Sequence, residues 1–279
     1  MAPQNIQVTP VSSSLGARID GVDLRALSDA QFEEIHRALL EHLVIFLPGQ
    51  HIGDAEQEAF AGRFATCRPH PVRELFGSRE LVAAVENDAD KPPQDDNFWH
   101  TDYSFHHEIP HIAVLRAEVM PERGGDTLWA NMHAAYEGLS ESLRGFLEGL
   151  EAFHDQGPKF EFEMRRTLGD EAADRVVEAF QGARHPVVAT HPDTGRKALF
   201  VNPGYTRRIE GLRPAESQAL LAFLFAHIDS PGYHVRYRWA PGDVAVWDER
   251  ATLHQGPDDF YPHPRKLFRV TAGSHAPRP

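Results

Sequence analysis

Apolar and polar residues change period several times along the chain, and each change marks an element. From 28 to 40, Phe32, Ile35, Leu39 and Leu40 recur at helical spacing. Ser28 and Gln31 stand ahead of them as a capping box, a pair that satisfies free N–H groups at a helix start. Asp54 is placed to cap a short helix carrying Phe60 and Phe64. Pro214 suits a first helical position, with Leu220, Leu221, Leu224 and Phe225 following on one side. A fourth helix is predicted over 134–150. Shorter β-branched or aromatic runs bounded by Gly, Pro or Asp predict strands at 43–47, 112–117, 187–190, 198–201, 234–239, 244–247 and 268–271. Many short strands with helices outside them predict a mainly β fold, a sandwich or barrel buttressed by helices. No glycine-rich strand-to-helix phosphate loop supports a doubly wound α/β sheet.

Composition narrows this picture. A chain of 279 residues fits one β-barrel domain, read here as 1–279, with a core that needs no staples. The single cysteine, Cys67, rules out an internal disulfide or a multi-cysteine zinc site. The first residues lack a basic segment followed by an apolar one, and no apolar run approaches the roughly 18 residues of a spanning helix. The expectation is a soluble, cytoplasmic protein. A formal net charge of −13 opposes a nucleic-acid or membrane face, since both partners are anionic. A small anionic substrate remains compatible, because a few buried arginines fix the sign of a pocket.

Three segments carry candidate chemistry. In an extended Trp99-His100-Thr101-Asp102, His100 and Asp102 point to the same side. With a distant third donor they would form a two-histidine, one-carboxylate set that leaves three positions open on a metal. A lone His-x-Asp is weak in a chain with 17 histidines. A second copy, His191-Pro192-Asp193, runs into Thr194-Gly195 and reads as a tight turn between strands. In 265–271, Arg265, Leu267, Arg269 and Thr271 alternate with Lys266, Phe268 and Val270. The arginine face is either exposed or turned inside a barrel, where each buried guanidinium would need an anion. Periodicity favours neither reading. Gly124-Gly125-Asp126-Thr127 reads by itself as an ordinary turn entering a strand.

Taken together, WHTD at 99–102, GGDTLW at 124–129, HPVV at 185–188, LFVN at 199–202, FLFAHI at 223–228 and the WDxRxTxH block ending at His254 resemble the taurine dioxygenase family of Fe(II)/2-oxoglutarate oxygenases. The resemblance runs from Leu15 to about Thr271. It implies a double-stranded β-helix (jelly-roll, cupin-like) core, with Fe(II) held by His100, Asp102 and His254 and with O2 and 2-oxoglutarate as co-substrates. It implies that Arg265 and Thr127 hold the far carboxylate of 2-oxoglutarate and that Arg269 grips the substrate anion. His70, Phe160 and Tyr205 fall at substrate-contacting positions. Arg73 and Asp96 also fall there but depart from the family's tyrosine and asparagine; either they pair with each other or Asp96 grips a cationic group more strongly, and both outcomes reshape the pocket.

The implied substrate is taurine or a related alkyl sulfonate, released as sulfite and an aldehyde. An alkyl sulfate ester and an aryloxyalkanoate carboxylate are alternatives. A zinc hydrolase on a cupin-like barrel and a non-catalytic 2-oxoglutarate-binding module are readings from other classes. The sequence leaves a homo-oligomer open.

Overall fold

The computed structural model describes residues 6–93 and 97–279. Its centre is two facing sheets. The larger runs, in order, through Gln7–Pro10, Ala17–Asp20, Val44–Leu47, Val244–Asp248, Ile112–Val119, Arg265–Ala272 and Cys67–Arg68, with Ala83–Asn87 also paired to Arg265–Ala272. The smaller contains His234–Tyr237, Thr127–Asn131 and Thr252–Gln255. This is the expected jelly-roll core.

Strand alternation explains the layering. In Val44–Leu47, Val44 and Phe46 face the space between the sheets, while Ile45 and Leu47 face outward. The inner layer also holds Leu115, Trp129, Trp239, Trp247 and Leu267. Trp129 meets Phe46 and Trp247 edge-on, at 5.5 and 5.6 Å between ring centroids. Such T-shaped contacts add to the gain from area burial. On the outer face of the larger sheet, Phe32, Ile35 and Leu39 of the helix Asp29–His42 and Phe60 of Asp54–Ala61 cover Val114, Val246 and Val270. The smaller sheet is covered by Met132–Glu137 and Pro214–Ile228, through Met132, Leu221, Leu224 and Ile228. The central strands of both sheets are thus buried on two faces.

Local signals fared well where they were self-contained. Ser28 and Gln31 form the capping box, and Pro214 opens its helix. Other expectations need correction. Gly53, not Asp54, caps the second helix; Asp54 is its first residue and pairs with Arg116. The helix expected over 134–150 is two, Met132–Glu137 and Glu141–Leu147. At Gly138 a Cβ would lie 2.1 Å from the Tyr233 hydroxyl, and Ser140 then caps a new helix by accepting the Leu143 N–H. The helices Gly157–Leu168 and Asp170–Ala179 were not anticipated. No helix among the described residues is long and apolar enough to cross a membrane.

Candidate active site

His100 and His254 are joined through the backbone. Each donates its N–H to the other's carbonyl, at 3.0 and 2.8 Å, so His100 extends the smaller sheet by one bridge. Their rings lie 4.2 Å apart. The segment does not stay extended as expected: after His100 the chain turns, and Tyr103 adopts φ 59°. The turn nevertheless brings Asp102 Oδ1 to 3.9 Å from His100 Nε2 and 4.0 Å from His254 Nε2. Donor atoms of all three residues lie within 4.8 Å of one another, a group able to hold a metal ion.

The electrostatics suit that use. Burial pushes the His254 pKa well below 6.5, and His100 beside it adds to the effect. A neutral imidazole is the form that binds metal. His100 Nδ1 lies 2.9 Å from the Phe98 carbonyl. Donating there fixes its tautomer and leaves the Nε2 lone pair facing Asp102. Burial opposes charge on Asp102, but Arg269 and the two imidazoles outweigh it and keep its pKa below the usual carboxylate range. Asp102 Oδ2 is buried without a hydrogen-bond partner. A first-row ion, bound at about 2.0–2.2 Å from such donors, would satisfy it.

Both arginines of the strand Arg265–Ala272 face inward, which settles the ambiguity of that face. With the two histidines, Thr127 and Trp247 they line one cavity of about 590 Å³. Arg265 donates to the Gly125 carbonyl at 2.9 Å and to Thr127 Oγ1 at 3.4 Å. No carboxylate among the described residues pairs with it. Burial lowers its pKa to about 10, so it stays charged at neutral pH and calls for an anion. Thr127 Oγ1 also accepts from Trp239 Nε1 at 3.0 Å. Its lone pairs are engaged, so its own proton is free to donate. Gly125 has φ 70°, and a Cβ there would stand 3.1 Å from Arg265 Cδ. The turn is therefore more than a connection: it is shaped around a guanidinium.

Arg269 is differently placed. It donates to Asp102 Oδ1 at 2.8 Å and to the Tyr103 hydroxyl at 3.3 Å. Burial works against its charge, and Asp102 more than offsets this. His70 caps the helix Pro71–Leu75, its Nδ1 accepting the Val72 N–H, so Nε2 carries the proton. Its ring packs edge-on against Tyr103, 5.1 Å between centroids. Tyr205 stands edge-on to His100 at 6.0 Å and to Phe105 at 5.3 Å.

Of the expected substrate positions among the described residues, Arg269 lines the cavity, whereas His70, Tyr205, Arg73 and Phe160 do not. Arg73 pairs with Glu80 at 2.9 Å, half exposed, and Phe160 is half-buried on Gly157–Leu168. Asp96 lies outside the described residues. Two residues without an assigned role belong to the site: Tyr103, against Arg269, and Glu249, which is fully buried. Burial and Asp102 push the Glu249 pKa up, while the Asp102 N–H and the Trp247 indole favour its charge. The available signal for Glu249 was its place in three consecutive charged residues, Asp248-Glu249-Arg250, just before His254.

A jelly roll with two histidines, a carboxylate and inward arginines defines a class, the barrel dioxygenases with a three-residue metal site and an anionic co-substrate. Residues 7–271 match the family model described as taurine catabolism dioxygenase TauD, TfdA family, and the chain belongs to that family. Family members use Fe(II), 2-oxoglutarate and O2. The chain is 37% identical to an alkylsulfatase of Acinetobacter baylyi, over 96% of this chain and 85% of that one. It is also 37% identical to an alpha-ketoglutarate-dependent sulfate ester dioxygenase of Pseudomonas putida, over 98% and 91%. The crystal structure of a taurine dioxygenase from Burkholderia xenovorans superposes with a TM-score of 0.81 at 33% identity, covering 98% of this chain and 92% of that one.

Proposed function

We propose that the chain is an Fe(II)/2-oxoglutarate-dependent dioxygenase that oxidises the carbon beside the oxyanion of a small organosulfur substrate, an alkyl sulfate ester before a sulfonate such as taurine. The observation carrying this reading is that one cavity is lined both by His100 and His254, two of the three residues grouped with Asp102 as possible metal donors, and by Arg265, a buried guanidinium without a carboxylate partner among the described residues. In this reading the three residues are the metal ligands. When bound, ferrous iron with O2 and 2-oxoglutarate supplies the oxidant, and the keto acid leaves as succinate and CO2.

The chain's own residues aim that chemistry. Arg265 and the Thr127 proton hold the far carboxylate of 2-oxoglutarate and fix its orientation. Arg269 and the His70 Nε2–H receive the substrate anion beside Asp102. Phe98, Phe105 and Tyr205 give an alkyl chain an aromatic wall near His100 and keep water away. The preference for a sulfate ester is supported by the two relatives above and by Arg73 turning to Glu80 instead of the cavity. One oxygen atom of O2 enters the substrate C–H bond and the other enters succinate. The hydroxylated carbon then expels sulfate and becomes an aldehyde.

A panel of hexyl sulfate, taurine and an aryloxyacetate, scored by succinate release under air and under argon, tests this. Hexyl sulfate should give the largest O2-dependent release, with sulfate and aldehyde in equal amounts. Sulfate release under argon without 2-oxoglutarate would instead indicate a hydrolase, the class a zinc-loaded barrel would represent.

A further inference from the structure

Glu249 has no exposure to solvent, yet no lysine, arginine or histidine lies within ion-pair distance of it among the described residues. Its two oxygens serve two different N–H donors. Oε2 accepts the backbone N–H of Asp102 at 3.0 Å, and Oε1 accepts Trp247 Nε1 at 2.7 Å. Each contact leads to one half of the metal-binding group. The first holds the backbone of Asp102 at the turn where Tyr103 takes φ 59°. The second fixes the Trp247 indole, which packs on the His254 ring at 4.9 Å between centroids. Asp102 and His254 come from segments about 150 residues apart, and one buried side chain reaches both.

We propose that Glu249 is a positioning residue for the metal site, holding Asp102 and His254 in register through these two hydrogen bonds. This rests on the reading of His100, Asp102 and His254 as metal ligands. Both partners are donors, so the position requires two acceptors. Glutamine offers one acceptor, and its amide N–H groups would face the other donor. Such a mismatch displaces either Asp102 or the indole. Supporting groups of this kind are typically worth tenfold to hundredfold in metal affinity.

The test is a Co(II) titration of the full chain, without 2-oxoglutarate or substrate, read by the visible d–d spectrum, with melting of the metal-free protein measured alongside. Glu249→Gln should weaken Co(II) binding by about ten- to hundredfold and alter the spectrum. Trp247→Phe combined with Glu249→Gln removes the second donor, so affinity should return to within severalfold of Trp247→Phe alone. Co(II) binding by Glu249→Gln with wild-type affinity and spectrum, or no recovery in the double variant, would overturn the proposal. If Glu249→Gln does not fold, Glu249→Asp carries the test. It keeps both acceptors one methylene short and should weaken Co(II) binding, and unchanged affinity would refute the role. His100→Ala run in parallel separates the two layers. Tight Co(II) binding by that variant would sink the metal reading itself, whereas its loss beside an unaffected Glu249→Gln would sink only the positioning role.

Discussion

His100-Thr101-Asp102 and His191-Pro192-Asp193 are the same three-residue pattern with opposite fates. At the second, both imidazole nitrogens and the carboxylate have partners within the protein. His191 Nδ1 accepts the N–H groups of Asp193 and Thr194, and Nε2 faces Asp248 at 2.9 Å. Asp193 pairs with Arg250 at 2.7 Å, and Arg250 also grips Asp248. The network closes a turn between Val188–Thr190 and Lys197–Leu199 and leaves nothing for a ligand. At the first, Asp102 Oδ2 has no partner, and two imidazoles converge on Oδ1. The arginines repeat the contrast: Arg250 has two carboxylates, while Arg265 has none among the described residues. Residue type and spacing nominate a ligand, but the unsatisfied valence of the folded site is what distinguishes it.

Several measurements would break or sharpen this contrast. The largest effect is expected at the open motif, where His100→Ala should eliminate metal binding and turnover; retained activity would return both motifs to equal standing. Next comes the closed network. Arg250→Ala leaves the buried Asp248 without its guanidinium, keeping only His191 and the backbone N–H of residue 250, and should lower stability by about 3–5 kcal/mol in denaturant melts. A loss near zero would show that the network is not what holds that turn. Arg265→Ala should raise the 2-oxoglutarate requirement roughly ten- to hundredfold, as expected for losing charge-assisted hydrogen bonds. The substrate requirement should change far less, and the reverse pattern would exchange the roles of Arg265 and Arg269. The smallest effect is expected for His191→Ala, a stability loss of about 1–3 kcal/mol with metal affinity unchanged. A loss of metal binding there would erase the distinction between the two motifs.

How much was legible beforehand follows from the range of the forces involved. The capping box at Ser28 and the proline at 214 act within one turn and could be read directly. The helices Gly157–Leu168 and Asp170–Ala179 escaped because they bury only Ala173 and Val176 among the described side chains, leaving little apolar periodicity. The strand Gln7–Pro10 escaped for the same reason, being exposed throughout. The arginine face of 265–271 showed its period but not its direction. Direction depends on Ile112–Val119 and Ala83–Asn87 pairing on either side of it. Arg73 and Phe160 were placed by resemblance, and a salt bridge to Glu80 and an unanticipated helix put them elsewhere. Glu249 was visible only as the middle of three consecutive charged residues; its two hydrogen-bond partners, one of them 147 residues away, needed the fold.

The most direct test is an anaerobic titration of Fe(II) and 2-oxoglutarate, followed by the visible metal-to-ligand charge-transfer band. The band should form in the wild type and in His191→Ala, shift when hexyl sulfate is added, and be absent in His100→Ala. A band that survives in His100→Ala, or one that vanishes in folded His191→Ala, would contradict the assignment of the metal to the open motif.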